Sequence, residues 1–477
     1  MKSNKLSVSL LFITSILLLL SENLAGQVKI SEQEWVIPTY KVNPPDKNPM
    51  FFKGESYQGA SKYIYPYGMN DAISNQKEDH AWKALILENE YIKLCVTPEI
   101  GGKIYYSTDK TNGYNFVYKN DVFKPSNIGM LGAWVSGGIE WCVIHHHRAS
   151  TLQTVDYELA ENKDGSKTIW IGETEPRHRM RWTIGITSYP GKSYFSAEVK
   201  IHNPTPFTNT FLYWANVAVH TNKEYQVIFP PSVQVATFHA KNSFTHWPYS
   251  TEVYNGQDFT RGVDLSWWKN SPEANSYFAY DLKEDFMGAY DHGKQTGTVE
   301  IGDHNIVKGT KLWEWGSAAR GQATEAVLTE KAGPYAEIMV GAFSDNQPDY
   351  SWIKPYEVKT FRQYWYPVKD IQGFKYANLN GAVNLEKRED NNVFLGYYST
   401  QKVNKAKIIL KKGDKVVFEK SMTISPETAF TGSVKIEGKY KITELYTEMV
   451  NAETNEVLVS YQPVEQIPVK ELPETVK

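Results

Sequence analysis

The side chains most suited to chemistry lie together between residues 132 and 147. This segment reads GAWVSGGIEWCVIHHH and contains one carboxylate, two indoles and three imidazoles. Side chains alternate along an extended strand, so Glu140 and His146 are predicted to point to one face and His145 and His147 to the other. A carboxylate beside an imidazole suits general acid–base catalysis, which makes Glu140 and His146 predicted catalytic residues. The alternative is a buried Glu140 that accepts hydrogen bonds from loop amides, with the histidines on an exposed strand end.

The indoles that flank Glu140 offer flat apolar faces on which a sugar ring can stack. Trp134 and Trp141 are therefore predicted to bind substrate, as is His145. The Gly137-Gly138 pair allows a β-bulge, which leaves the direction of Trp134 open.

A second cluster lies in the segment 213–220, where alternation places Trp214, Asn216 and His220 on one face. Asparagine and histidine are costly to bury without partners, so these side chains either face a substrate or belong to a partly satisfied sheet edge. On the first interpretation His220 transfers protons, while Trp214 and Asn216 bind substrate.

Two further clusters complete the predicted site. Trp313 and Trp315 share one face, either as a stacking wall for substrate or as a core layer. Glu337 lies in an apolar strand, where a carboxylate needs a paired cation or a catalytic role; Gln347 follows it and is predicted to bind substrate. The distance between Glu337 and Glu140 would distinguish glycoside hydrolysis from epimerase-type proton transfer.

Several other chemistries find no support in the sequence. It contains no phosphate-binding glycine loop, dinucleotide fingerprint, nucleophile elbow or cysteine-based zinc motif, so no cofactor is expected. His145 and His147 could chelate a metal, but no third ligand follows at a telling spacing, and no metal is predicted. With 51 Lys+Arg against 54 Asp+Glu, a net charge of −3 argues against nucleic acid or an anionic membrane as partner. Cys95 and Cys142 are either a disulfide or two buried thiols.

The elements that must position these residues are strands. Alternating runs such as 91–96, 193–201 and 335–340 are separated by Asn, Gly and Pro clusters, without the strand–helix alternation of parallel sheets. This pattern predicts an all-β chain built on a large antiparallel supersandwich. Beyond Tyr376, short runs that lack tryptophan predict a small C-terminal β-sandwich module of immunoglobulin-like type.

The N-terminus predicts export. Lys2 and Lys5 precede the apolar run 6–20 and small residues near position 26, as in a secretory signal peptide. We therefore expect a periplasmic or secreted protein without a membrane span after cleavage. The predicted boundaries are a signal peptide at 1–26, the supersandwich at 27–372, the C-terminal module at 373–462 and a polar tail at 463–477.

Several strings together resemble one family, and they lie at 101–104 (GGKI), 132–141, 203–206 (NPTP), 213–216 (YWAN), 309–316 (GTKLWEWG) and 347–352 (QPDYSW). The chain resembles an exported bacterial domain family of unknown function that is related to the galactose-mutarotase-like supersandwich, over roughly residues 35–370. Relatives often carry C-terminal tetratricopeptide repeats, which we do not find in this sequence. Relatives also tend to continue Glu-Trp with Asn and Phe-Pro, where this chain has Cys142-Val143-Ile144.

The resemblance implies a fold that faces carbohydrate, and the aromatic and carboxylate clusters fit such a role. We predict an exported carbohydrate-active protein that binds an oligo- or polysaccharide, with glycoside hydrolysis by Glu140 and Glu337 as the leading hypothesis. The alternatives are an aldose-epimerase-like enzyme and a non-catalytic carbohydrate-binding protein.

Overall fold

The computed structural model describes residues 26–46, 50–51, 64–65, 68, 70–127, 133–145 and 147–475. The predicted signal peptide and His146 lie outside these residues. The described chain is built of antiparallel strands, which confirms the predicted all-β class. Within the described ranges, no helix has the length and apolarity that a membrane crossing requires.

The larger sheet carries the candidate site and, within the described chain, contains twelve strands. In spatial order they are Lys29–Val42, Ile73–Glu88, Ile92–Thr97, Lys103–Asp109, Ile139–Cys142, Tyr213–His220, Tyr335–Ala342, Gly309–Glu314, Asn275–Ala279, Val235–Thr237 and Phe244–His246, with Asn115–Val117 paired to Lys103–Asp109.

The smaller sheet packs against one face of the larger one. Its strands, in spatial order, are Asp156–Glu161, Lys167–Thr174, Arg181–Ser188, Phe195–His202, Val358–Lys369, Thr296–Gly302, Phe286–Asp291 and Tyr225–Ile228. The two sheets enclose one apolar core, to which alternate residues of the central strands contribute: Ile139 and Trp141, Ala215 and Val217, Ile338 and Val340, Val199 and Trp365. The intervening residues of the larger sheet consequently point away from this core.

Short ribbons and helices connect these strands. The ribbons pair Asn209–Phe211 with Ser351–Ile353, Met50–Phe51 with Ile64–Tyr65, Pro125–Ser126 with Trp134–Val135, Tyr249–Ser250 with Val263–Asp264, and Val253–Tyr254 with Gln257–Asp258. An α-helix spans Ala319–Leu328, and 3₁₀ turns span Pro98–Ile100, Ala149–Leu152, His239–Lys241, Trp268–Asn270 and Ile442–Glu444.

The C-terminal part forms two four-stranded sheets around a core of its own. One sheet contains Tyr376–Asn378, Gly381–Lys387, Asn392–Ser399 and Phe430–Lys435. The other contains Lys415–Ile424, Val403–Lys412, Leu445–Asn451 and Glu456–Tyr461.

This C-terminal module contacts the supersandwich at several places, among them the N–H of Ser193, which donates to the carbonyl of Thr400 at 2.8 Å. Tyr366 donates a hydrogen bond through its hydroxyl to the carbonyl of Asn378 at 2.9 Å, within an apolar cluster to which both parts contribute. After the module's last strand the chain returns to the supersandwich, where the carbonyl of Val469 lies 2.8 Å from Nε2 of His246 and its N–H donates to the side chain of Gln234. The module is therefore held both where the chain enters it and beyond where the chain leaves it.

Candidate active site

Strand register brings the candidate residues onto one face of the larger sheet. Glu140 pairs with Asn216, Asn216 with Met339, and Met339 with Lys311. Because directly paired residues share a face, these side chains form a row across four strands on the side opposite the apolar core. Glu337 pairs with Ala218 on the same face, two residues along its strand from Met339.

A glycine turn sets the start of the strand that carries Glu140. Gly137 and Gly138 have φ values of 81° and 66°, and a Cβ atom on Gly138 would lie 2.1 Å from the carbonyl oxygen of Ile104. Only glycine accepts this left-handed backbone at such a close approach. The turn also resolves the direction of Trp134, whose Nε1–H donates to Oε2 of Glu140 at 2.9 Å.

Glu140 is the most completely bonded carboxylate of the face. It is 3% exposed and accepts hydrogen bonds from Trp134 and, at 3.4 Å, from Nδ2 of Asn216. Nδ1 of His147 lies 3.2 Å from Oε1 and 3.1 Å from Oε2. Burial opposes ionisation, but the charge and hydrogen bond of His147 hold the pKa of Glu140 at about 2. Glu140 is therefore ionised at neutral pH.

The imidazole beside Glu140 belongs to His147, and the predicted orientation of His147 is wrong. The strand ends at Cys142 and a turn follows, so simple alternation no longer applies at the histidines. Burial disfavours the imidazolium, but Glu140 raises the pKa of His147 above its usual range. His146, the predicted catalytic partner, lies outside the described residues.

Glu337 is a second buried carboxyl group, and its pKa is shifted in the opposite direction from that of Glu140. Burial raises its pKa, and the negative charge of Glu140 raises it further, so Glu337 holds its proton to higher pH than an exposed glutamate. The register places the Cα atoms of the two residues two strands apart, roughly 12 Å. The face thus combines a carboxylate that is ionised at neutral pH with a carboxyl group that ionises only at higher pH than an exposed glutamate.

Two buried lysines, which the sequence analysis missed, flank these carboxyl groups. Lys311 donates to Oε1 of Gln347 at 2.8 Å and lies 3.2 Å from Nε2 of His239, and burial lowers the pKa of its amine. On the other side, Lys103 donates to the carbonyl of Val135 at 2.7 Å, and burial lowers its pKa to about 8. The sequence did contain a signal for both lysines. Each lies in an apolar strand, where a charged side chain needs a partner or a function, as for Glu337.

His239 comes from a 3₁₀ turn and closes one end of the site. Its Nδ1 lies 3.0 Å from the hydroxyl of Ser276, and its Nε2 lies 3.2 Å from Oε1 of Gln347. Burial, with the charge of Lys311, lowers its pKa to about 3, so His239 is neutral. Gln347 thus joins the site as part of this polar network.

The predicted stacking residues have different surroundings. Trp214 is fully buried, with its indole over Gly309 and Gly341, where an added Cβ would approach the ring to 2.4 Å. Trp214 packs in an apolar cluster with Phe278 and Met339, so the prediction that it stacks on a sugar ring is wrong. Trp313 and Trp315 are half-buried and meet edge to face, with ring centroids 5.3 Å apart. The ammonium of Lys311 lies 5.5 Å from the Trp313 ring, so Trp313 borders the charged groups.

Three of the predicted site residues do not contact the group of polar side chains around Glu140. Trp141 is fully buried in the core between the sheets and donates to the carbonyl of Gly102, so the prediction that it binds substrate is wrong. His145 is bonded to Thr210 at 3.1 Å. His220 packs against Tyr118, and burial lowers its pKa to about 4.

Glu140, Cys142 and His147 present three ligand-type atoms within 4.8 Å of one another. A catalytic zinc site has three such ligands, but the thiol and the imidazole must first lose their protons. Here burial and Glu140 raise the pKa of Cys142, and Glu140 favours the protonated form of His147. A metal would therefore bind these three groups only with release of the protons of Cys142 and His147. Cys142 and Cys95 are both buried free thiols.

Comparison with solved structures places this architecture among known folds. A TPR-domain containing protein from Parabacteroides distasonis ATCC 8503 is similar with a TM-score of 0.63 and 24% identity, over 74% of this chain and 58% of that protein. The chain thus spans less than two thirds of that relative. A galactose mutarotase-like protein from Clostridium acetobutylicum aligns with a TM-score of 0.41 and 10% identity, over 61% and 96% of the two chains. A galactose mutarotase related enzyme from Lactobacillus acidophilus gives 0.39 and 12%, over 60% and 97%.

Family models match both parts of the chain. Residues 376–461 match the second domain of YphG-like protein. Residues 60–368, more than half of the chain, match the domain of unknown function DUF5107. The predicted family resemblance is confirmed, and the chain belongs to the DUF5107 family.

Proposed function

We propose that this protein is a carbohydrate-converting enzyme of the aldose-epimerase type, which opens and closes the ring of a sugar at its anomeric carbon. The observation that carries the proposal is the pairing of Glu140 with His147 beside Glu337 on one sheet face. Groups whose surroundings drive their pKa values apart are the usual acid and base of an enzyme. Glycoside hydrolysis, our leading hypothesis from the sequence, becomes the second candidate.

The geometry supports distinct roles for the three residues. Glu140 is ionised and accepts several hydrogen bonds, so it is a weak base and serves to hold His147 in its protonated form. His147 is the general acid. Glu337 is the better base, because its raised pKa makes its ionised form more basic than that of Glu140.

The reaction needs only proton transfers. The ionised form of Glu337 accepts the proton of the anomeric hydroxyl while His147 donates a proton to the ring oxygen, and the bond between the anomeric carbon and the ring oxygen breaks. The product is the open-chain aldehyde. Rotation about its carbon–carbon bond presents the other carbonyl face, and the reverse transfers close the ring and restore both protein groups.

The test uses the purified protein and a panel of aldoses prepared as single anomers. Approach to anomeric equilibrium is followed by polarimetry, with spontaneous mutarotation as the baseline. We expect acceleration with at least one aldose, and Glu337→Gln and His147→Asn should each lower the rate at least about 100-fold. Wild-type protein that accelerates no aldose would overturn the epimerase proposal.

A specific observation favours hydrolysis as the second candidate. An ionised carboxylate near a protonated carboxyl group is also the arrangement of glycosidases. Incubation with an oligosaccharide panel separates the two functions, because hydrolysis releases new reducing ends and anomer interconversion does not. Saccharide binding without either reaction would identify a non-catalytic binding protein.

We also propose export, from the basic residues and the apolar run within residues 1–26. Fractionation of the native host and N-terminal sequencing test this. A mature chain that begins near residue 27 in the periplasm or medium is expected, and an intact N-terminus in the cytoplasm would contradict it.

A further inference from the structure

A second cluster of polar and aromatic groups lies beyond the row of Glu140. Trp352, on the ribbon that pairs Asn209–Phe211 with Ser351–Ile353, is 66% exposed. It stands directly opposite Thr210, so the indole and the threonine hydroxyl lie on the same face of the ribbon. An indole this exposed is not part of an apolar core. Together with the neighbouring hydroxyl group, it can instead contact a ligand.

The hydrogen bonds behind Thr210 have a fixed direction. Arg177 can only donate, and its Nη2 lies 3.0 Å from Nδ1 of His145, which must therefore accept. Nε2 of the same imidazole then carries the proton and donates to the hydroxyl of Thr210 at 3.1 Å. Burial lowers the pKa of His145 well below its usual range, in agreement with this neutral tautomer. Thr210 accepts from His145 and keeps its own hydrogen for another acceptor.

This cluster is continuous with the candidate active site. The ring of Tyr350 lies 5.5 Å from that of His145 and also packs against the cluster of Cys142 and Trp214, on the face that carries Glu140. Thr210 and Asn216 are six positions apart in the chain, which is roughly 20 Å in an extended conformation. The two positions belong to one surface but are too far apart for a single sugar ring.

Other apolar side chains are exposed on segments close in sequence to the two strands of this ribbon. Phe207, Tyr356 and Val358 are also exposed. Their segments adjoin, since the side-chain amide of Asn203 donates to the carbonyls of Phe207 at 2.7 Å and Lys354 at 3.0 Å. Several exposed apolar side chains on adjoining segments are a common feature of binding sites.

We propose that Trp352 and Thr210 form a distal subsite that binds a sugar unit of an oligosaccharide whose reacting end lies at Glu140. The indole stacks on the sugar ring and the Thr210 hydroxyl donates to a ring substituent. The inference rests on the proposed function for the reacting end, and it narrows the substrate class from single sugars to oligosaccharides.

The test measures affinity as a function of chain length. Calorimetric titration of the full chain uses ladders of one to six units of gluco-, manno-, xylo- and galacto-oligosaccharides. Trp352→Ala should weaken binding of the longest bound oligosaccharide about tenfold and leave monosaccharide affinity unchanged. Thr210→Val should give a smaller loss of about threefold.

Tyr249→Ala is the matched control, because Tyr249 is an aromatic residue that is 57% exposed on another two-stranded ribbon. It should change no affinity. Trp352→Ala with wild-type affinity for every oligosaccharide would overturn the subsite, as would a dimer in light scattering that Trp352→Ala dissociates. A different result would contradict the proposed function. If binding depends on chain length but ring opening is not accelerated, the epimerase proposal is wrong and the subsite proposal stands.

Discussion

The substitution Glu140→Gln tests the central pair of the site. It preserves the size of the side chain and removes its charge. Glu140 raises the pKa of His147 through its charge and through a hydrogen bond to Nδ1. The neutral amide therefore lowers that pKa, and His147 loses its proton at lower pH than in the wild type. The alkaline limb of the pH–rate profile should move to lower pH.

The size of the shift follows from the contact. Nδ1 of His147 lies within 3.2 Å of both oxygens of Glu140. A hydrogen bond to a charged group contributes about 1.5–3 kcal/mol, and one pKa unit corresponds to about 1.36 kcal/mol. We therefore expect the pKa of His147 to fall by about 1–2 units.

Proton NMR titration of the histidine ring signals measures this pKa directly. The His147 signal is assigned by its loss in His147→Asn. Glu252→Gln is the matched control, because Nδ1 of His246 lies 2.6 Å from Oε1 of Glu252 away from the candidate site. It should shift the His246 signal alone and leave the pH–rate profile unchanged. A His147 titration midpoint that stays at its wild-type value in Glu140→Gln would refute the assigned role of Glu140.

Three further predictions concern the surroundings of this pair. Lys311→Met removes a positive charge that lowers the pKa of Glu337, so the pKa of Glu337 should rise. The acid limb of the pH–rate profile should then move to higher pH by up to about one unit. An unchanged acid limb would show that Lys311 does not affect the ionisation of Glu337. Gly138→Ala should lower the free energy of unfolding in denaturant titrations by at least about 2 kcal/mol, because the added Cβ meets the carbonyl of Ile104. Gly113→Ala is the control: Gly113 has a similar φ but open space around it, so the substitution should lower the free energy of unfolding by about 1 kcal/mol. Equal losses in the two variants would contradict the close-approach argument. Dialysis against EDTA should leave the rate unchanged, because the proposed reaction needs only proton transfers between protein groups and the sugar. A loss of rate that Zn²⁺ restores would show that Glu140, Cys142 and His147 bind metal.

Strand alternation predicted much of this site and failed at identifiable points. It placed Trp214 and Asn216 on one face of their strand, and the structure has both on the face that carries Glu140. The same rule already puts Trp141 opposite Glu140, because neighbouring residues of a strand point in opposite directions. The choice of Trp141 as a substrate-binding residue followed composition rather than alternation.

The remaining features depend on geometry that a single sequence does not contain. The turn after Cys142 brings His147 back to Glu140, and no local pattern marks where a strand of four residues ends. The register between strands distant in sequence decides that Lys311 and Glu337 lie on the same face. His239 reaches the site from a 3₁₀ turn, which has no period of its own to recognise.

The return of the chain after the C-terminal module has a mechanical consequence. Tyr366 bonds the module where the chain enters it, and Val469 fastens the tail to His246 and Gln234 on the supersandwich. A pull that separates the two cores must break these attachments and also the pairing of Lys192 with Gln401, so the module is held at several points and not by a single linker. A compositional change near residue 372 therefore marks a change of core without marking a hinge.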